Sequence, residues 1–203
     1  GLEITSPFAG LLIKGAGSSK VDRLPLQDAH IKLLEPAMKD SEIAWALYVL
    51  LRDTGARVAE IAGLRVQDCD TAKRCLTITP TPWRRLKNKT SERSVPLSQE
   101  TATLLKDLTK GKAAEEPVFE RYAKDRGMDN CSQMLMKRLR TVITDKKLTM
   151  HSLRHRMKDQ LRNTGCPEAI SMAILGHGSN TVAANYGSGY ALDVMREHME
   201  KVW

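Results

Sequence analysis

Three short strings in this sequence hold side chains that could do chemistry. In His151-Ser152-Leu153-Arg154-His155 the histidines and the arginine stand three and four residues apart, so on a helix one face presents two imidazoles and a guanidinium. That face suits an anion. In Leu175-Gly176-His177-Gly178 a histidine follows a glycine that is free to take a left-handed turn, and Tyr186 comes nine residues after His177. In Thr54-Gly55-Ala56-Arg57-Val58-Ala59-Glu60-Ile61 an arginine follows a helix-ending glycine, and Glu60 stands one helical turn on, where it can hold the guanidinium. Taken singly, each string also has an ordinary structural reading. These are a helix with satisfied polar groups, a histidine at a helix end, a half-buried tyrosine, and an i,i+3 ion pair worth about half a kcal/mol. The histidines four apart match half of an H-E-x-x-H zinc site, but Ser152 stands where its glutamate belongs, which argues against a metal.

Together with a lysine from the basic segment around residue 87, these side chains suit attack on a phosphodiester without a metal. The distribution of charge agrees. Between Lys137 and Arg162, nine lysines and arginines face two aspartates, an excess close to the whole net charge of +8. A second cluster, Arg84, Arg85, Lys87, Lys89 and Arg93, faces only Glu92. Such clusters are either solvated faces or a seat for a polyanion. The scarcity of Phe, Trp and Tyr, 4% of residues, disfavours a single-strand stacking platform and leaves duplex phosphates as the better partner.

Other function classes fall away on composition. An apolar fraction of 41% with 28% charged residues excludes a disordered or fibrous chain. The longest apolar run, Ile43 to Leu51, is too short to cross a bilayer, and GLEITSPFAG has no signal-peptide pattern, so a soluble cytoplasmic protein is expected. Cys69, Cys75, Cys131 and Cys166 lie outside any C-x-x-C spacing and read as reduced thiols.

The elements that must position the site follow from periodicity and punctuation. Residues 1–25, with Pro7, Gly10, Gly15, Gly17 and Pro25, read as a linker, and 26–203 as one domain. Helices are expected from Gln27 or Asp28, from the N-cap Ser41 to Gly55, and over Arg57 to Gly63. Leu76, Ile78 and Thr79, then Ser94, Val95 and Leu97, predict two strands of a β-hairpin whose tip is the basic segment 84–93. Further helices are expected over 98–109, 130–144, 151–164, 167–175, 179–185 and 190–201. The fold class is therefore mainly α with a small antiparallel β-sheet.

In order and spacing, these strings resemble the catalytic domain of the tyrosine recombinases, the phage-type integrases. TGARVAE looks like the first arginine box, HSLRH like the H-x-x-R box, LGH with Tyr186 like the closing boxes, and NKTSERSVPL like the hairpin lysine segment. The resemblance runs from Asp53 to the end. PFAGL resembles the linker after an N-terminal core-binding domain, so a longer parent chain is expected. Arg156 and Met157 depart from the residues usual in the family, and neither removes a catalytic group.

The resemblance implies a site-specific recombinase that cuts and rejoins DNA through a 3′-phosphotyrosine, with no cofactor and no metal. It implies catalytic roles for Arg57, Lys89, His151, Arg154, His177 and Tyr186, with Glu60 and His155 in support. Lys87 competes with Lys89, and Tyr190, thirteen residues after His177, competes with Tyr186 but is assigned to packing. Arg84, Arg85, Lys87 and Arg156 are expected to bind DNA. The implied partners are double-stranded attachment sites, further copies forming a homotetramer on DNA with a monomer when free, and DNA-bending accessory proteins. The setting would be the nucleoid of a bacterium or a phage-encoded system. Leu192, Val194, Met195, Met199 and Val202, at near-helical spacing, would dock on a neighbouring subunit or on their own domain. Two other readings stay open: a non-catalytic DNA-binding relative of the same fold, and a metal-dependent nuclease built on Asp53, Glu60, Asp68 and Asp70.

Overall fold

The computed structural model describes residues 23–86, 91–177 and 189–203. At its centre is α2 (Glu42–Thr54), whose residues Ala44, Ala46, Leu47, Tyr48, Val49, Leu50 and Leu51 are all buried. A helix apolar on every side must be covered on every side. Helices α1 (Asp28–Lys39), α3 (Val58–Ala62), α4 (Gln99–Thr109) and α6 (Ser152–Asn163) pack against it, and α5 (Gly127–Val142) lies on α1 and α3. Ser41 caps α2, its Oγ accepting from the Ala44 amide at 3.4 Å. Gly55 ends α2 in the left-handed conformation (φ 62°), and the chain turns there straight into α3.

The sheet has three antiparallel strands in the order β1 (Cys69–Asp70), β2 (Cys75–Ile78), β3 (Arg93–Pro96). Leu76 pairs with Val95 and Cys75 with Pro96, so the two expected strands form the hairpin, each a residue earlier than its sequence signal. The two-residue strand β1 carries no alternation and was invisible in the sequence; it exists because β2 offers it an edge. Helix α7 (Glu168–Leu175) packs on α6 and β3, and α8 (Leu192–Met199) also lies against β3. The helix expected over 179–185 falls outside the described residues. None of the four cysteines is in a disulfide, and no described helix is long and apolar enough to cross a membrane.

The C-terminal segment packs on its own domain. Met195 and Met199 are buried, and the Trp203 indole donates to the Asp53 carbonyl at 2.8 Å. Docking on a neighbouring subunit would require the segment to leave these contacts.

Candidate functional site

The turn after α2, the start of α6 and the end of α7 meet around an arginine cluster. Arg57 sits at the N-cap of α3, and its own backbone N–H donates to Glu60 Oε2 at 2.9 Å while its Nη1 donates to Glu60 Oε1 at 2.6 Å. The i,i+3 spacing thus fastens one edge of the guanidinium to a carboxylate that is 3% exposed. A second arginine, Arg93 on β3, reaches the other oxygen of Glu60 at 3.0 Å. Burial pushes the Glu60 carboxyl up, but the charge and hydrogen bonds of Arg93 and Arg57 outweigh it and hold the group below its ordinary value.

The end of α7 holds the arginines from the other side. The last carbonyls of a helix have no partner within the helix and carry its negative dipole end. Here three successive ones accept from three arginines on three elements: Ile174 O from Arg93 Nε at 2.8 Å, Leu175 O from Arg154 Nη2, and Gly176 O from Arg57 Nη2 at 3.5 Å. Arg154 Nη1 also donates to the Gly55 carbonyl at 2.9 Å, so one buried guanidinium joins the end of α2 to the end of α7. Gly176 makes this possible. Its φ of 63° reverses the chain, and a Cβ there would stand 2.6 Å from Arg93 Nη1.

His177 follows directly, its N–H bonded to Met172 O at 2.9 Å in the turn that closes α7. His151 stands at the N-cap of α6 with its ring 5.1 Å from that of His155, edge to face. Burial, then the charges of Arg154, Lys158, Arg57 and Arg93, push His177 down to about 4. Burial, then His155, Arg154, Arg23 and Arg57, push His151 down to about 4 as well. Both imidazoles are therefore neutral at pH 7. Arg154 is lowered to about 9 by burial and by Arg57 and Arg93, and it stays charged.

Of the expected site residues, Arg57, Glu60, His151, Arg154, His155 and His177 come together, while Lys87, Lys89 and Tyr186 lie outside the described residues. Arg85 is exposed, as a DNA-contacting residue must be. Arg84 is not. It is 3% exposed, packed on Gly63 and donating to the Gly63 carbonyl at 3.4 Å, so its guanidinium is turned onto the end of α3 and does not stand out toward solvent as expected. The Arg156 guanidinium donates to the Leu26 carbonyl and to Asp28 and so ties α6 to the start of α1. Tyr190, assigned to packing, is 44% exposed.

The nuclease reading finds no convergent carboxylates. Asp53 accepts from Thr101 at 2.6 Å and Ser98 at 3.0 Å, Asp68 is held by Arg65 at 3.0 Å, Asp70 turns back to the Lys73 amide at 2.8 Å, and Glu60 serves two arginines. Among the described residues no group of three His, Cys, Asp or Glu could hold a metal ion. What sequence reasoning missed is Arg93, which it counted as hairpin charge. Its one signal is its place in an alternating strand, two residues before the buried Val95, which puts both side chains on the inward face.

The model of the phage integrase family matches residues 24–190. The chain belongs to the phage integrase family. Tyrosine recombinase XerA of Pyrococcus furiosus is 25% identical to this family member over 158 residues, which is 76% of this chain and 53% of that protein. The chain thus spans about half the length of the curated relative it matches. Among solved structures, the Tn1549 transposon integrase in complex with circular intermediate DNA superposes with a TM-score of 0.60 at 19% identity, covering 89% of this chain and 67% of that one. The crystal structure of XerA recombinase gives a TM-score of 0.59 at 22% identity, covering 88% and 65%. The mainly helical fold with a three-stranded antiparallel sheet is the fold of these integrases.

Proposed function

We propose that this chain is the catalytic part of a site-specific DNA recombinase that cuts and rejoins duplex DNA at attachment sites through a 3′-phosphotyrosine, integrating or excising a mobile element. One observation carries the reading: three guanidiniums converge on one end of α7 with a single carboxylate, Glu60, among them. Burial, and after it the surrounding positive charge, lowers the proton affinity of His151, Arg154 and His177, and an oxyanion seated there would offset the charge. A phosphodiester has the right charge, and the N–H groups of Arg57 and Arg154 that Glu60 and the carbonyls leave over would meet the non-bridging oxygens of its transition state.

The chemistry then follows from residue types. The Tyr186 oxygen attacks phosphorus, its proton passing to His151, which is neutral at pH 7 and able to accept it. The phosphate's negative charge raises the proton affinity of His151 at the moment it is needed. The bond from phosphorus to the 5′ oxygen breaks, Lys89 protonates the leaving alkoxide, and His177 donates a hydrogen bond to the phosphate. Rejoining is the reverse reaction with a new 5′-hydroxyl. One phosphoester replaces another, so the step needs no nucleotide cofactor.

Nicked duplexes spanning the element's own junction, incubated with the protein in chelator, should yield a denaturant-resistant protein–DNA adduct. Tyr186→Phe should abolish it and Tyr190→Phe should not; the opposite pattern would transfer the nucleophile to Tyr190. Binding of that DNA without any adduct would leave the non-catalytic relative as the better reading.

A further inference from the structure

The stripe of α6 that carries His151, Arg154 and His155 does not end with them. Lys158 comes next at the same spacing, four residues after Arg154 and three after His155, about 6 Å further along the helix axis. Arg154 fastens the end of α7 to α6 through Leu175, which places His177 beside this next turn of the stripe. The ammonium of Lys158 accordingly acts on both His177 and His155. Arg57, Arg93 and Arg154 are held by carbonyls, the first two also by Glu60. Lys158 has no hydrogen bond or ion pair among the described residues, and the adjacent Asp159 turns to Arg162 at 3.3 Å instead. It is half-buried, so its stem lies against the protein while no described carboxylate pairs with its charge.

We propose that Lys158 binds the DNA phosphate next to the one held by Arg57 and Arg154, extending the single anion seat into a short phosphate track along α6. This rests on the recombinase reading above. The partner chemistry is a backbone phosphodiester of duplex DNA, contacted without regard to sequence. A lysine suits that task, because a flexible point charge tolerates the varying position of a neighbouring phosphate better than a guanidinium fork fixed by carbonyls.

The test is a salt titration of binding to a short duplex, measured for wild type, Lys158→Gln, Lys158→Arg and Lys106→Gln, the last removing an exposed lysine of α4, which contributes nothing to the site. Removing one phosphate contact lowers the slope of log affinity against log salt by about 0.9. Lys158→Gln should show that loss on unrelated sequences alike, with an unchanged melting temperature. Lys158→Arg should restore the slope, and Lys106→Gln should leave it intact. In free Lys158→Gln, His177 should titrate at a higher pH than in wild type, which checks the placement without DNA. An unaltered slope in Lys158→Gln overturns the proposal, as does an equal loss in Lys106→Gln. Wild type that binds duplex DNA with a steep salt slope yet never forms an adduct would defeat the recombinase reading while leaving the phosphate contact standing.

Discussion

His151 and His177 show how a cationic site writes itself into pH dependence. Each titrates near 6.5 in an unfolded chain and near 4 in this fold. Between those values the unfolded state binds more protons, so stability falls as pH drops from about 6.5 toward 4, and above 6.5 this source contributes no slope. The loss should be about 1–2 kcal/mol per histidine once solvent screening is allowed for. Urea melts at pH 7 and pH 5 should show it in wild type, and His151→Asn with His177→Asn should flatten most of it. A slope that persists undiminished in the double variant would place its origin elsewhere. Glu60, held below its ordinary value, contributes further loss only at lower pH, where it takes up its proton.

The end of α7 matters more than any one arginine, because its carbonyls set where all three guanidiniums lie. Gly176→Ala should therefore cost more than the strain of a left-handed alanine, since its Cβ would press on Arg93, which is fixed by three bonds and cannot swing aside. Gly165→Ala is the matched control. Gly165 also has a positive φ, of 77°, but nothing lies within 4 Å of the added carbon. Both variants should lose about 1 kcal/mol to backbone strain, with Gly176→Ala losing about 1–2 kcal/mol more. Denaturant melts read that difference, and adduct yield should fall in Gly176→Ala alone. Equal stabilities for the two variants would mean that the contact with Arg93 relaxes freely.

Over the whole molecule, the C-terminal tail closes the domain it belongs to. Met195 and Met199 fill the space beside β3, Arg196 donates to the Lys73 carbonyl at 2.7 Å, and Trp203 bonds the last turn of α2 just before the Gly55 turn that bears on Arg154. Ending the chain after Tyr190 should then lower stability by about 3 kcal/mol or more, the contribution of two buried methionines and a partly buried indole. Thermal melts of the shortened chain test this. An unchanged melt would show that the tail contributes nothing to its own domain and would return it to a role between subunits.

Much of this protein was legible before any coordinates. The caps at Ser41 and Gly55 and the H-x-x-R spacing on α6 rest on relations within a few residues, and the strands around Leu76 and Val95 show themselves by their own alternation, so periodicity and turn chemistry determine the outcome. Tertiary structure decided which charges face outward. Arg84, Arg93 and Arg156 look alike in the sequence, yet one is buried on Gly63, one bridges Glu60 to α7, and one ties α6 to α1. Their partners lie 21, 33, 81 and 130 residues away along the chain. A guanidinium takes whichever acceptor the packed helices bring within reach. Local sequence carries no record of that distance, so the choice between a structural arginine and a DNA-facing one belongs to the fold.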